Sequence, residues 1–188
     1  MAEHDSQVEL SVNLGNDESN RALQQVISSL PLEKVVKQTL HLAGITQPVM
    51  LTLLITSDET IRNLNKQYRG QDKPTDVLSF PLVDKPMVNA PADQLWLPPE
   101  AQKGEKAETG GKMQAFVSPA ELTINLGDIV ISWQTVVHQA TESGHNPAYE
   151  LLFLLSHGLL HLIGYDDQTE SGYQAMIQMQ QAVLEATG

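Results

Sequence analysis

Between Val8 and Leu14 the chain alternates Val8, Leu10, Val12 and Leu14 with polar neighbours, and a period of two predicts a strand with one buried face. From Asn20 to about Ala43 the apolar spacing turns helical, with Leu23, Val26 and Ile27 before Pro31 and Val35, Val36, Leu40 and Leu42 after it. Pro31 breaks this run because it lacks an amide hydrogen, and Gly44 stops it. Residues 48–56, PVMLTLLIT, are apolar almost without interruption, which predicts a strand buried on both faces. A helix follows, capped by Ser57, acidic in its first turn, apolar at Ile61, Leu64 and Tyr68, and closed by Gly70. TDVLSFPL and GDIVISW read as further strands, rich in β-branched and aromatic residues. After Trp133 the pattern is helical to Ser143, turns at GHNP, and resumes as helices over about Ala148–Ile163 and Gln168–Ala186.

From Asp84 to about Glu121 the chain holds five of its ten prolines, a Gly110-Gly111 pair and few large apolar side chains. That composition predicts a flexible insertion at about 84–121 rather than a packed element. No repeat is visible. The expected fold is α+β, a single domain over residues 1–188 with a small mixed sheet of about four strands packed with helices.

Composition narrows the chemistry. With 188 residues, 41% of them hydrophobic, the chain can enclose one sizeable core. It has no cysteine, so disulfides and thiolate metal sites are excluded and any metal must be held by His, Asp or Glu. The N-terminal MAEHDSQVEL has neither a basic start nor an apolar signal core, and no apolar run approaches the roughly 20 residues that span a bilayer. A soluble cytoplasmic protein with no membrane partner is expected. The net charge of −12 repels polyanions at long range. Even so, four of the eleven cations, Arg62, Lys66, Arg69 and Lys73, fall within twelve residues, a local patch able to hold phosphates.

The segment SHGLLHLIGYDD, Ser156 to Asp167, carries the most specific chemistry. Residues i and i+4 of a helix share a face, so His157 and His161 can share one ion. Gly164 can end the helix and let Asp166 or Asp167 return toward that ion. Two nitrogens and one oxygen leave a coordination position open, as in catalytic zinc sites. The plainer alternative has both imidazoles bonded to backbone and Asp166 capping the final helix. The surrounding Leu154, Leu155, Leu159, Leu160 and Leu162 favour the metal, because unpaired imidazoles are costly to bury there. The spacing also approaches the metzincin frame H-E-x-x-H-x-x-G-x-x-H, with Asp167 at the third ligand position. In those proteases the Glu after the first His is the general base. Here that residue is Gly158, and the nearest helical carboxylate, Glu150, lies about two turns upstream. Peptide hydrolysis by that route lacks its base.

HGLLHLIGYDD, together with YRGQDKPTDVLSFP upstream and LGDIVIS between them, resembles the YbeY family of bacterial rRNA maturation factors, in three blocks of the same order. The resemblance implies a zincin-like helix holding one divalent metal ion, zinc first among candidates. It further implies metal-dependent endoribonuclease activity on single-stranded rRNA, in 16S rRNA 3′-end maturation and ribosome quality control at the small ribosomal subunit. By position, His157 and His161 match the first two histidines of the family motif H-G-x-L-H-L-x-G-Y-D-H, and Arg69 matches the arginine implicated in RNA binding and cleavage. Asp167 stands where the family has a third histidine. An anionic oxygen there lowers the site's charge and shifts its preference toward harder ions. Read by itself, Arg69 also suits a helix C-terminus, where a cation complements the macrodipole. His138 and His145 read as structural or exposed. The alternative function is a ribosome-assembly binding factor with a structural metal and little nuclease activity. The sequence carries no signal of oligomeric state.

Overall fold

The computed structural model describes residues 6–98 and 123–188. Along them run strand β1 (Gln7–Asn13), helices α1 (Asp17–Ser28) and α2 (Leu32–Leu42), β2 (Val49–Thr56), α3 (Asp58–Arg69), β3 (Val77–Pro81), a 3₁₀ turn at Ala92–Gln94, β4 (Ile124–Ser132), and helices α4 (Trp133–Ser143), α5 (Pro147–Ile163) and α6 (Glu170–Thr187). The strands form one mixed sheet in the order β1-β2-β4-β3, with β1, β2 and β4 parallel and β3 antiparallel to β4. The α+β fold expected from the sequence, with four strands and helices packed on them, is the fold observed.

Helix boundaries follow from local chemistry. Asn16 caps α1 by accepting from the Ser19 amide at 2.8 Å, so the helix begins at Asp17, three residues before the expected start. Asn20, which had marked that start, turns its side chain back onto the Leu14 amide at 2.6 Å. Pro31 separates α1 from α2 as expected. Ser57 caps α3 and Gly70 closes it in the left-handed conformation. Asn146 caps α5 with Pro147 in its first turn, where a missing amide hydrogen costs nothing.

One face of the sheet carries most of the core. Leu51, Leu53 and Ile55 of β2 and Ile129 and Ile131 of β4 pack with Val35, Val36 and Leu40 of α2 and with Leu151, Leu155, Leu159 and Leu162 of α5. The opposite face has a smaller cluster, Ile61 of α3 with Leu78 and Val130. β2 is therefore not buried equally on both sides: Met50, Thr52 and Leu54 are only half-buried, because α3 leaves part of that face open.

Residues 84–98 are better anchored than their composition suggested. The Met87 amide donates to the Ile163 carbonyl at 2.8 Å, the Trp96 amide donates to Gly164 at 3.0 Å, and the Asp166 amide donates to Gln94 at 2.9 Å. Leu95 bridges Tyr165, and Val88 is buried in the core. Backbone pairing, to which composition is blind, supplies the anchorage. The rest of the expected flexible insertion, 99–121, lies outside the described residues.

The tightest point of this docking is Gly164, at φ +133°, where an added Cβ would stand 2.5 Å from Pro86 Cβ and 2.8 Å from Pro86 Cα. Gly164→Ala should therefore cost about 1–3 kcal/mol through backbone strain and displacement of Pro86. In a thermal melt this is a fall of about 2–4 °C per kcal/mol, and an unchanged melting temperature would contradict the packing described.

Candidate metal centre and cleft

Helix α5 presents its leucines to the sheet and α2, and its remaining face to a cleft. There His157 Nε2 and His161 Nε2 lie 3.1 Å apart. Asp167 Oδ2 stands 3.6 Å from the first and 3.8 Å from the second. Both imidazoles are largely buried, and the carboxylate is more open to the cleft. Among the described residues these three form the one group of His, Asp or Glu able to share an ion.

Hydrogen bonds fix which ring atoms face one another. His161 Nδ1 lies 2.9 Å from the Tyr165 carbonyl, an oxygen that can only accept, so Nδ1 carries the hydrogen. His157 Nδ1 lies 3.1 Å from Gln180 Oε1. The Gln180 amide is oriented by its own Nε2, which donates to the Phe153 carbonyl at 3.2 Å, so His157 Nδ1 is also the donor. With hydrogens on both Nδ1 atoms, each Nε2 faces the other ring and a carboxylate. Three potential ligand atoms converge there, an arrangement that a proton or a metal cation between them satisfies.

The spacing suits one. Donors at about 2 Å from a single tetrahedral ion stand about 3.3 Å apart, and the observed separations of 3.1, 3.6 and 3.8 Å bracket that value. The electrostatics agree. Burial, then the neighbouring His161, lowers the pKa of His157 and so favours its neutral, ligating form. A hydrogen bond from His161 holds the Asp167 carboxyl down to about 2, so it is ionised, and the proton that makes this bond occupies the place a metal cation would take.

Asp166 does something other than expected. Thr169 caps α6, its hydroxyl accepting from the Gly172 amide at 3.0 Å and donating to the Asp93 carbonyl. Asp166 instead pairs through its backbone with Gln94. The backbone pairing of 94 with 166 holds the turn so that Thr169, three residues later, serves as the cap.

Gly158 explains why no general base follows the first histidine. An added Cβ there would lie 2.8 Å from Ile129 Cγ2 and 3.2 Å from Ser79 Oγ. Position 158 faces the sheet, and Ser79 Oγ donates to its carbonyl at 3.0 Å. A side chain there would have to displace Ile129 and press on Ser79.

The cleft has a volume of about 650 Å³ and is lined by Arg69, Asp76, Ser79, Trp96, His157, His161 and Asp167, among others. The basic patch divides on folding. Arg62 and Lys66 both pair with Asp72, at 2.8 and 3.2 Å, and these bonds, Arg62's first, lower the Asp72 pKa. Arg69 has no carboxylate partner among the described residues and opens onto the cleft. Of the other histidines, His145 pairs with the buried Glu150 at 2.6 Å and His138 pairs on the surface with Glu142 at 3.3 Å. Neither reaches the cleft.

Sequence reasoning missed Gln180, Asp76 and Trp96. Gln180 carried a usable signal, since it is a polar residue on the apolar stripe Met176, Val183 and Leu184 of α6 and is fully buried. Asp76 accepts from the Val77 amide at 2.8 Å and from Gln139 at 3.4 Å, so its carboxylate is occupied in holding β3 and α4.

Asp167→Ala should weaken zinc binding by more than about 100-fold, beyond what loss of an outer partner costs, whereas Asp166→Ala should leave affinity nearly intact. Calorimetric titration of zinc into the apo proteins checks both, and the reverse ranking would move the third ligand by one residue. Gln180→Leu, which frees the His157 ring while filling the core, should cost about 10–100-fold in the same assay.

The family model described as endoribonuclease YbeY matches residues 13–188. Proteins named endoribonuclease YbeY from Roseiflexus sp. and Roseiflexus castenholzii are each 37% identical, over 86% and 87% of this chain and 85% and 86% of their own lengths. The one from Moorella thermoacetica is 36% identical over 84% of this chain and 85% of its own. The solution structure of a Thermotoga maritima protein shares the fold, with a TM-score of 0.50 at 23% identity, covering 95% of this chain and 87% of the other. Over nearly its whole length, then, this chain belongs to the endoribonuclease YbeY family.

Proposed function

We propose that this chain is a metal-dependent endoribonuclease that cuts single-stranded rRNA, acting at the small ribosomal subunit in 16S rRNA 3′-end maturation and ribosome quality control. The observation that carries the reading is that one cleft holds both the His157–His161–Asp167 cluster and Arg69, which has no carboxylate partner among the described residues. Family membership supports the reaction class. No helix among the described residues is long and apolar enough to cross a membrane, and the reading places the chain with ribosomes in the cytoplasm.

His157, His161 and Asp167 hold the ion, for which zinc is the first candidate. A divalent ion bound there supplies Lewis acidity toward a phosphoryl oxygen. Arg69 offers a planar fork to the other non-bridging oxygens, positioning the phosphate and stabilising the charge that grows on it. Gln180 and the Tyr165 carbonyl keep both rings in the tautomer that leaves Nε2 bare. Gly158 brings no carboxylate to the cleft, and RNA lessens the need for one because it carries its own nucleophile, the 2′-hydroxyl. The cations at Arg62 and Lys66, tied to Asp72, contribute general attraction rather than chemistry.

The test is cleavage of a single-stranded 16S rRNA 3′-terminal fragment by zinc-loaded protein, with the same sequence as a duplex for comparison. Arg69→Ala should slow cleavage by about 100-fold or more with metal content unchanged, and Arg69→Lys should recover only part because the fork is lost. Equal cutting by Arg69→Ala would remove the arginine from the mechanism. Metal-loaded wild type that binds the fragment without cutting it would favour the assembly-factor reading.

A further inference from the structure

Trp96 belongs to the segment that composition marked as an insertion, yet it forms part of the cleft wall. It is the one Phe, Tyr or Trp among the described lining residues. Its indole Nε1 donates to the His161 carbonyl at 2.8 Å and its amide to the Gly164 carbonyl at 3.0 Å. On one side Leu95 bridges Tyr165, and just before it the Gln94 carbonyl accepts from Asp166. The ring is thus tied to the turn that carries the third member of the cluster, and it remains only partly buried.

The polar chemistry of this side chain is already spent. With its single donor committed to a backbone carbonyl, the ring can recognise a ligand only through its π face and apolar area. Fastening the His161 carbonyl needs a donor and nothing more, so a bicyclic surface left facing a polar cleft exceeds that need. Preorganisation also favours binding, because a ring already fixed loses little freedom when a ligand arrives. The ligand class that presents a flat π surface together with phosphates for Arg69 and the metal cluster is a nucleotide strand.

We propose that Trp96 is a stacking platform for a nucleobase of the bound single strand. The proposal rests on the ribonuclease reading above and adds a base-recognising wall to its phosphate handles. Stacking on an aromatic face tolerates every base but requires the base to be unpaired. Trp96 therefore gives the cleft a physical preference for single strands without sequence selectivity.

The chain has two tryptophans, so a Trp133→Phe background makes Trp96 the only indole emitter. Zinc-loaded full-length protein is titrated with a nine-nucleotide 2′-O-methyl oligoadenylate and with an abasic strand of the same length. The oligoadenylate should quench Trp96 emission and bind about 10-fold or more tightly than the abasic strand. Trp96→Phe, which keeps a face but loses the Nε1 bond, should hold affinity within a few-fold, and Trp96→Leu should lose about 10-fold or more. Zinc content should be unchanged in both. Binding without quenching, equal affinity for the abasic strand, or equal affinity in Trp96→Leu would overturn the platform while leaving the nuclease reading intact. Loss of zinc in both variants would reduce Trp96 to a fastening for the His161 carbonyl. Wild-type protein that neither binds nor cuts RNA would remove the ribonuclease reading itself.

Discussion

Two imidazole nitrogens that face each other and a carboxylate repel unless a proton or a metal cation lies between them, and the surrounding structure holds them that way. Helix α5 sets the four-residue spacing, and its leucines fix the rotation that turns both histidines to the cleft. The Tyr165 carbonyl and the Gln180 amide then lock each ring by its other nitrogen. Removing either anchor would let a ring flip or change tautomer and relieve the repulsion. This is local destabilisation maintained by burial elsewhere, and it becomes favourable when a cation sits between the donors.

The sheet supplies the opposite wall through an odd division of labour along β3. Ser79 faces the cleft and ties the strand to the Gly158 carbonyl, whereas Leu78 packs on the far side with Ile61 and Val130. The same close approach that lets strand and helix meet leaves no space for a side chain at 158. Close packing of helix on sheet therefore settles a chemical question: the carboxylate base used by metzincin proteases has nowhere to stand.

What the sequence disclosed, and what it withheld, follows from how far apart the interacting residues lie. His157 and His161 were legible because helical periodicity puts i and i+4 on one face, and Asp167 because a glycine-ended helix turns back within three residues. The strands were legible from alternation and β-branched content. Gln180 was not, since its partner is 23 residues away on another helix and only the packing of α6 brings them together. Trp96 was hidden in a proline-rich stretch whose order comes from backbone bonds to 163–166, which leave no mark on composition. The double burial expected of β2 failed for a related reason, because a run of apolar residues does not reveal how much of a face its neighbours cover.

Gln180 has one more consequence. It lies on the last helix, yet it reaches across to brace a ring on α5, so the occupancy of the cluster and the seating of α6 are thermodynamically linked. An ion that requires the braced ring binds the docked helix better than a loosened one, and by reciprocity its free concentration sets how tightly the C-terminal helix is held. On this reading the final eighteen-residue helix is held less tightly in a metal-poor solution than in a metal-rich one, so the local stability of the chain's end would report metal supply.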